Sequence, residues 1–188
     1  YGVASLSGRT VRERAQALIE IAHPDDRETL VEKAKEQKIL YKDQIFLKES
    51  APLYPAEIDT HHSFKGDVKI RFRAIKPSDE EDMRRLFYRF SDQTVYRRFF
   101  YPIRTMPHHK MQEYVNIDYS GVMSVVALVG EPGAGTIIAE ARYAKDEKSA
   151  YGDVAFVVEE KYQGLGIASY LYEMLIRLAK ERGLKGFT

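Results

Sequence analysis

Between residues 68 and 74 the stretch VKIRFRA alternates Val68, Ile70, Phe72 and Ala74 with Lys69, Arg71 and Arg73, the period of a strand with one buried face. After Pro77 the pattern changes to helix. Ser78 and Glu81 have capping-box spacing, Asp79 to Asp82 put acidic residues in a first turn, and Met83, Leu86, Phe87 and Phe90 recur on one face. Shorter helices are predicted around DQTVYRRFF and around PHHKMQEYVN, the second with Pro107 near its start. GVMSVVALVG, GTIIAEARYA and YGDVAFVVEE then read as three strands joined by EPGAG and KDEKS, connections short enough for an antiparallel meander. Residues 164 to 182 form a helix with Ile167, Leu171, Met174, Leu175 and Leu178 on one face and Glu173 set to pair with Arg177. Gly183 ends it, and Gly186 to Thr188 read as the opening of another strand.

Ahead of this unit, residues 1 to 40 are helical in character. Thr10 and Glu13 form a capping box before apolar Val11, Ala15, Leu18, Ile19 and Ala22, and a second helix starts at Pro24 with Asp25, Asp26 and Glu28 at the positive end of its dipole. Residues 41 to 66, with Pro52, Pro55, His61, His62 and Gly66 among polar residues, read as a linker. The expected organisation is a helical tail at 1–40, a linker at 41–66 and a second domain at 67–188. There is no internal repeat. The first residue is Tyr1 and the last are LKGFT, so the chain is expected to be a piece of a longer polypeptide, with a strand edge near Phe187 left open to self-association.

Charge and composition narrow the partners. Lys and Arg number 29 against 28 for Asp and Glu, which gives no general attraction to nucleic acid or to an anionic membrane. The apolar run VMSVVALV is too short to span a bilayer and the N-terminus lacks a signal-peptide pattern, so a cytoplasmic protein is expected. Without cysteine there are no disulfides and no thiolate chemistry. Adjacent histidines, His61 with His62 and His108 with His109, seldom direct both rings at one ion, so no metal is expected. GEPGAG at 130–135 lacks the Lys-Ser/Thr of a nucleotide-binding loop, and the arginine pairs at 84, 85 and 97, 98 read as solvated faces.

The stretch EEKYQGLGIASYLYEML carries the candidate chemistry. Gln163, Gly164, Leu165, Gly166, Ile167 and Ala168 stand between an apolar strand and an amphipathic helix, where free backbone N–H groups and the helix dipole attract phosphate. Glycines without Cβ atoms permit close approach. The same spacing also suits a plain strand-to-helix turn that needs glycine for its conformation.

With the order of elements added, residues 67–188 resemble the GNAT superfamily of acetyl-CoA-dependent N-acetyltransferases, in VAFVVEEKYQGLGIASYLYEMLIRLAKERGLKGF above all. The resemblance implies an α/β (α+β) fold, a mixed, mainly antiparallel sheet flanked by helices. It implies acetyl-CoA as co-substrate, its pyrophosphate on the amides around Gln163, Gly166 and Ala168, and its pantetheine arm along Val157 and Val158, with a bulge splaying that strand from the next. IRFRAIKPSDEEDMRRLF, VYRRFF, NIDYSGVMSVVALVG and GDVAFVV are similar to bacterial protein lysine acetyltransferases that modify acyl-CoA synthetases. That implies an amine acceptor, a protein lysine among the candidates. Where those enzymes carry a catalytic glutamate this chain has Asp153, whose shorter side chain calls for a water relay; Glu140 is the reserve base. Backbone amides near Val157 would polarise the thioester carbonyl. Tyr119 and Tyr162 read as packing or surface residues.

GRTVRERAQALIEIAHPDDRETL resembles the C-terminal tail of acetyl-CoA hydrolases and CoA-transferases, which implies a fusion of two acyl-CoA-handling units. Two function classes follow: an acetyltransferase acting on an amine, and a non-catalytic acyl-CoA-binding regulatory module of the fused enzyme.

Overall fold

The structure is a computed structural model describing residues 2–46, 54–130, 135–146 and 148–188. Six strands lie side by side in chain order: β1 (Thr60–Phe64), β2 (Val68–Ala74), β3 (Val122–Val129), β4 (Thr136–Lys145), β5 (Tyr151–Val158) and β6 (Gly186–Phe187). Neighbours from β1 to β5 are antiparallel and β5 with β6 is parallel, so the sheet is mixed and mainly antiparallel as expected. Met123, Val125, Val126 and Ala127 on β3 and Ile137, Ile138 and Ala139 on β4 are fully buried, because helices cover both faces of these central strands. One cover is α6 (Ile167–Glu181), whose predicted apolar face Ile167, Leu171, Met174, Leu175 and Leu178 is buried. Glu173 and Arg177 lie exposed on its other side and, among the described residues, form no ion pair. Across the sheet stand α3 (Glu80–Phe87), α4 (Asp92–Phe99) and α5 (His108–Val115).

The residues read as a linker contain β1. Thr60 to Phe64 pair with Phe72 to Val68, an ion pair from Arg71 to Asp59 fixes one end of the hairpin, and His62 stacks on Tyr170 of α6 at 4.5 Å between ring centroids. The alternation there is weak because three of its five residues are exposed. The turn at Pro77 also differs in detail. The capping residue is Asp79, whose carboxylate accepts the Lys76 N–H at 2.7 Å; Ser78 instead donates its own N–H to Glu20. A short 3₁₀ turn, Pro77–Asp79, precedes α3.

At the N-terminus, α1 (Val11–Ile21) and α2 (Pro24–Glu36) form as predicted, with the Thr10–Glu13 capping box and Pro24 in the first turn of α2. The buried side of α1 is not the expected one. Val11 and Leu18 are exposed, while Glu13, Gln16, Ala17 and Ile19 are buried. Polar docking turns the helix that way: the Glu13 carboxylate pairs with Arg85 of α3 at 3.0 Å, and Gln16 donates to Gln44. Gln44 donates to Gln112 of α5 at 2.6 Å, Gln112 donates to Glu80 of α3, and His108 bonds the other oxygen of Glu80. A chain of buried amides and acids therefore fastens the tail to the sheet-bearing unit, although Gln16 Oε1 and His108 Nε2 are buried without a hydrogen-bond partner. Among the described residues no helix is long and apolar enough to cross a membrane.

Arg73 on β2 grips Asp79 in a two-pronged contact at 2.6 and 2.7 Å, with side chains about nine-tenths buried or more. The geometry has the fork shape that makes arginine irreplaceable by lysine. Asp79→Ala would strand a buried guanidinium and release the cap of the 3₁₀ turn. It should cost about 3–5 kcal/mol, measured as a lowered urea midpoint with an unchanged slope.

Candidate functional site

From Tyr151 to Val158 β5 keeps an unbroken register with β4, from Gly152 opposite Lys145 to Val158 opposite Ala139. No bulge interrupts that ladder; on the side of the next, parallel strand, where the bulge is expected, β5 pairs with β6 only at Tyr151 and Gly152, and an irregularity in the β3–β4 ladder falls between Ala127 and Leu128. Alternation of the backbone decides which β5 groups face outward. The Glu159 N–H bonds the Ile138 carbonyl, so odd-numbered residues address β4, and the Gly152 carbonyl accepts from Thr188, so even-numbered ones address the opposite edge. Val157 thus spends its N–H and C=O on Glu140 and β4. The outward main-chain groups belong to Val154, Phe156 and Val158.

A cleft of about 640 Å³ opens along that edge, lined by Val154 to Val158, by Thr94, Arg97, Arg98 and Phe100 of the α4 region, and by Tyr162, Gln163, Gly164, Gly166, Ile167, Ala168 and Ser169. Thus Gln163, Gly164, Gly166, Ile167 and Ala168 and the last residues of β5 line one cavity, while Leu165 does not line it and packs against the hydrophobic core. A short 3₁₀ turn, Glu160–Tyr162, joins them. The Gln163 side chain donates to the Val158 carbonyl at 2.9 Å and so ties the turn to the end of the strand. Gly164 and Gly166 have φ of +76° and +93°, and a Cβ at either would meet no atom within 4 Å. Backbone conformation requires glycine at both.

Gly166 is the N-cap of α6 and no side chain caps that end. The first helical bond runs from the Tyr170 N–H to the Gly166 carbonyl, so the N–H groups of Ile167, Ala168 and Ser169 precede it and have no intrahelical acceptor. An anion with several oxygen acceptors fits this end of a 15-residue helix, where the dipole adds its attraction.

Glu140 lies opposite Val157 with no exposed surface. Its Oε1 accepts from the Ser124 hydroxyl and from Arg142 Nε, both at 2.6 Å; its Oε2 accepts from the Tyr114 hydroxyl at 2.7 Å and faces Arg98 at 3.7 Å. Burial alone would raise this carboxyl, but Arg142, Arg98 and the Ser124 hydrogen bond hold it below the usual glutamate value. Burial pushes Tyr114 up to about 12 against the pull of Arg142. With three hydrogen bonds and the Arg98 ion pair on its two oxygens and no exposed surface, Glu140 is engaged inside the protein and not presented to a substrate. Arg98, read as part of a solvated face, is a buried strut donating to the Tyr114 hydroxyl at 2.6 Å; Arg97 is exposed.

Asp153 is exposed, one residue beyond the stretch of β5 that lines the cleft, and accepts from the Thr188 hydroxyl at 2.8 Å. Four residues of strand separate it from Val157, roughly 13 Å. Tyr119 is a core residue donating to the Ile75 carbonyl at 2.7 Å, and Tyr162 lines the cleft. The residues that sequence reasoning missed are Val154, Phe156 and Arg98. Ladder parity would have singled out the first two once the hairpin register was known. The connection at 131–134 lies outside the described residues. Among the described residues no three His, Asp or Glu side chains gather closely enough for a metal ion. A second cavity, about 360 Å³, lies between the tail and Tyr54, Lys76 and Tyr119.

Comparison with known proteins matches residues 81–188 to the Acetyltransferase (GNAT) family and residues 1–34 to the Acetyl-CoA hydrolase/transferase C-terminal domain. An acetyltransferase of Pseudomonas aeruginosa is 29% identical over 116 residues, 62% of this chain and 62% of that protein. Acetyltransferase Pat of Mycolicibacterium smegmatis is 35% identical over 117 residues, 61% of this chain but 34% of that one. The chain therefore spans less than two thirds of either relative. Among solved structures, the GNAT domain of S. lividans PAT superposes with a TM-score of 0.65 at 28% identity, covering 71% of this chain and 78% of that domain.

Because the strain at Gly166 comes from the backbone and not from a clash, Gly166→Ala should lower stability by roughly 1–2 kcal/mol. Chemical denaturation measures it.

Proposed function

This chain belongs to the acetyltransferase (GNAT) family, and we propose that it takes the acetyl group of acetyl-CoA to an amine, a protein lysine among the acceptors, within a polypeptide that also carries an acetyl-CoA hydrolase/CoA-transferase unit. The observation that carries the reading is the uncapped start of α6 meeting the outward edge of β5 in one cleft. The pyrophosphate would accept from the N–H groups between Gly164 and Ser169 and gain from the helix dipole. The extended pantetheine arm would run beside β5, bonding main-chain groups of Val154 and Phe156. Val157 and Ala155 would wall the arm. The Val158 carbonyl, already held by Gln163, would orient the turn.

In this reading the acceptor enters at the Asp153 end. Asp153, through a water, takes one proton from the ammonium; the neutral nitrogen attacks the thioester carbon, the N–C bond forms, the C–S bond breaks, and the departing thiolate takes the second proton that the nitrogen sheds, giving the amide and free CoA. Glu140 stays a hydrogen-bonded carboxylate and holds Arg98 and Tyr114 behind Val157. The boundary reading, a tail at 1–40 joined to an acetyltransferase domain, is supported by the match of residues 1–34. The buried amide chain from Gln16 to Glu80 gives the two parts a shared core.

A second reading, a non-catalytic acyl-CoA-binding module, draws on the exposure of Asp153 and its distance from Val157. Calorimetry and turnover separate the two. Acetyl-CoA should bind at one site, and release of free CoA with lysine-bearing substrates, assayed in the full-length polypeptide, should fall at least tenfold in Asp153→Asn with the acetyl-CoA affinity kept. Binding without release of CoA in the native protein supports the second reading; absence of binding defeats both.

A further inference from the structure

The segment from Tyr96 to Arg104 exposes aromatic and cationic side chains beside the cleft. Tyr96, Phe100 and Tyr101 are exposed large apolar residues, Phe100 the most at 82%. Arg97 and Arg104 are exposed and, among the described residues, make no ion pair or hydrogen bond. Most arginines nearby are engaged: Arg84 and Arg85 with acids of their own helix, Arg89 with Glu159, Arg98 with Tyr114, Arg142 with Glu140. Exposed aromatics flanked by unpaired arginines have the composition of an interface and not of an ordinary solvated face.

Their placement ties them to the reaction. Helix α4 starts against the turn after β5, where the Ser91 N–H bonds the Glu160 carboxylate at 2.8 Å. Eight residues carry the helix about 12 Å onward, and at its far end Phe100 and the Val154 part of β5 line the same cleft. Phe100 sits there at φ +59°, its N–H bonded to the Tyr96 carbonyl at 2.7 Å. A bulky residue in the left-handed region is strained, and the chain keeps it with its ring in solvent. Next along β5 stands Asp153, the acidic end of the cleft.

We propose that Arg97, Phe100, Tyr101 and Arg104 form the docking surface for the acceptor, and that the acceptor is a protein segment whose target lysine is flanked by acidic side chains. The inference rests on the acetyltransferase reading for its lysine, and on the rim alone for its acidic flanks. Asp153 attracts the ammonium while the two arginines receive the neighbouring carboxylates, and Phe100 and Tyr101 offer apolar area that excludes water from those pairs. An acceptor with basic flanks would meet like charge.

Three fluorescein-labelled peptides with one central lysine and acidic, neutral or basic flanks test the idea by anisotropy, using the chain saturated with CoA. The acidic peptide should bind at least tenfold more tightly than the basic one. Arg104→Glu should abolish or invert that ranking, Tyr101→Gly should weaken all three peptides, and calorimetric affinity for acetyl-CoA should stay within about twofold in both variants, because neither residue lines the coenzyme cleft. Equal binding of the three peptides to the native chain would overturn the proposal. So would an Arg104→Glu protein that keeps the peptide ranking. If acetyl-CoA fails to bind the native chain the acetyltransferase reading falls, while the peptide ranking still decides whether the rim recognises acidic segments.

Discussion

One hydrogen bond, from the Gln163 side chain to the Val158 carbonyl, sets the relation between strand end and helix start on which the site depends. It satisfies an outward main-chain acceptor at the end of β5 and holds the turn against the strand. The two glycines then bend the chain through left-handed conformations and deliver α6 with its first N–H groups open. Of the residues in the glycine stretch, Gln163 is therefore a strut, and the donors that await an anion are main-chain groups. A side chain capping this end would have filled the place where an anion fits.

The wall behind the cleft is built from charge held out of water. Glu140 sits between Arg142, Arg98, Ser124 and Tyr114, and the guanidinium of Arg142 lies 3.3 Å from the centre of the Tyr114 ring. Such a cluster tolerates no missing partner. It fixes α4 and α5 relative to β4 and β5, and α5 is also the helix that receives Gln44 and, through it, the N-terminal tail. Tail, wall and cleft are thereby linked by hydrogen-bonded polar side chains.

Much of this was legible in the amino-acid order. Period-two alternation located β2 through β5, the apolar spacing of α6 named its buried face, and the Thr10 and Pro24 signals placed α1 and α2, because each is a local pattern tied to local geometry. The resemblance to acetyltransferases supplied the mixed sheet, which local patterns leave open. What escaped was set by partners distant in sequence. β1 is short and mostly exposed, so it carries little alternation. Val11 and Leu18 faced outward because Glu13 and Gln16 had polar partners more than 25 residues away in Arg85 and Gln44. Arg98 resembled any surface arginine until Tyr114 and Glu140 came to meet it. The outward parity of Val154 and Phe156 followed from strand register, which the three strand-like runs alone did not fix.

Amide hydrogen exchange addresses the central claim most directly, since it reads the main-chain groups themselves. With acetyl-CoA added, the N–H groups of Gly164 through Ser169, together with those of Val154 and Phe156, should slow by at least tenfold while the core of β3 stays unchanged. Binding of acetyl-CoA that leaves those amides exchanging as fast as before would contradict the account, because the coenzyme would then be held elsewhere.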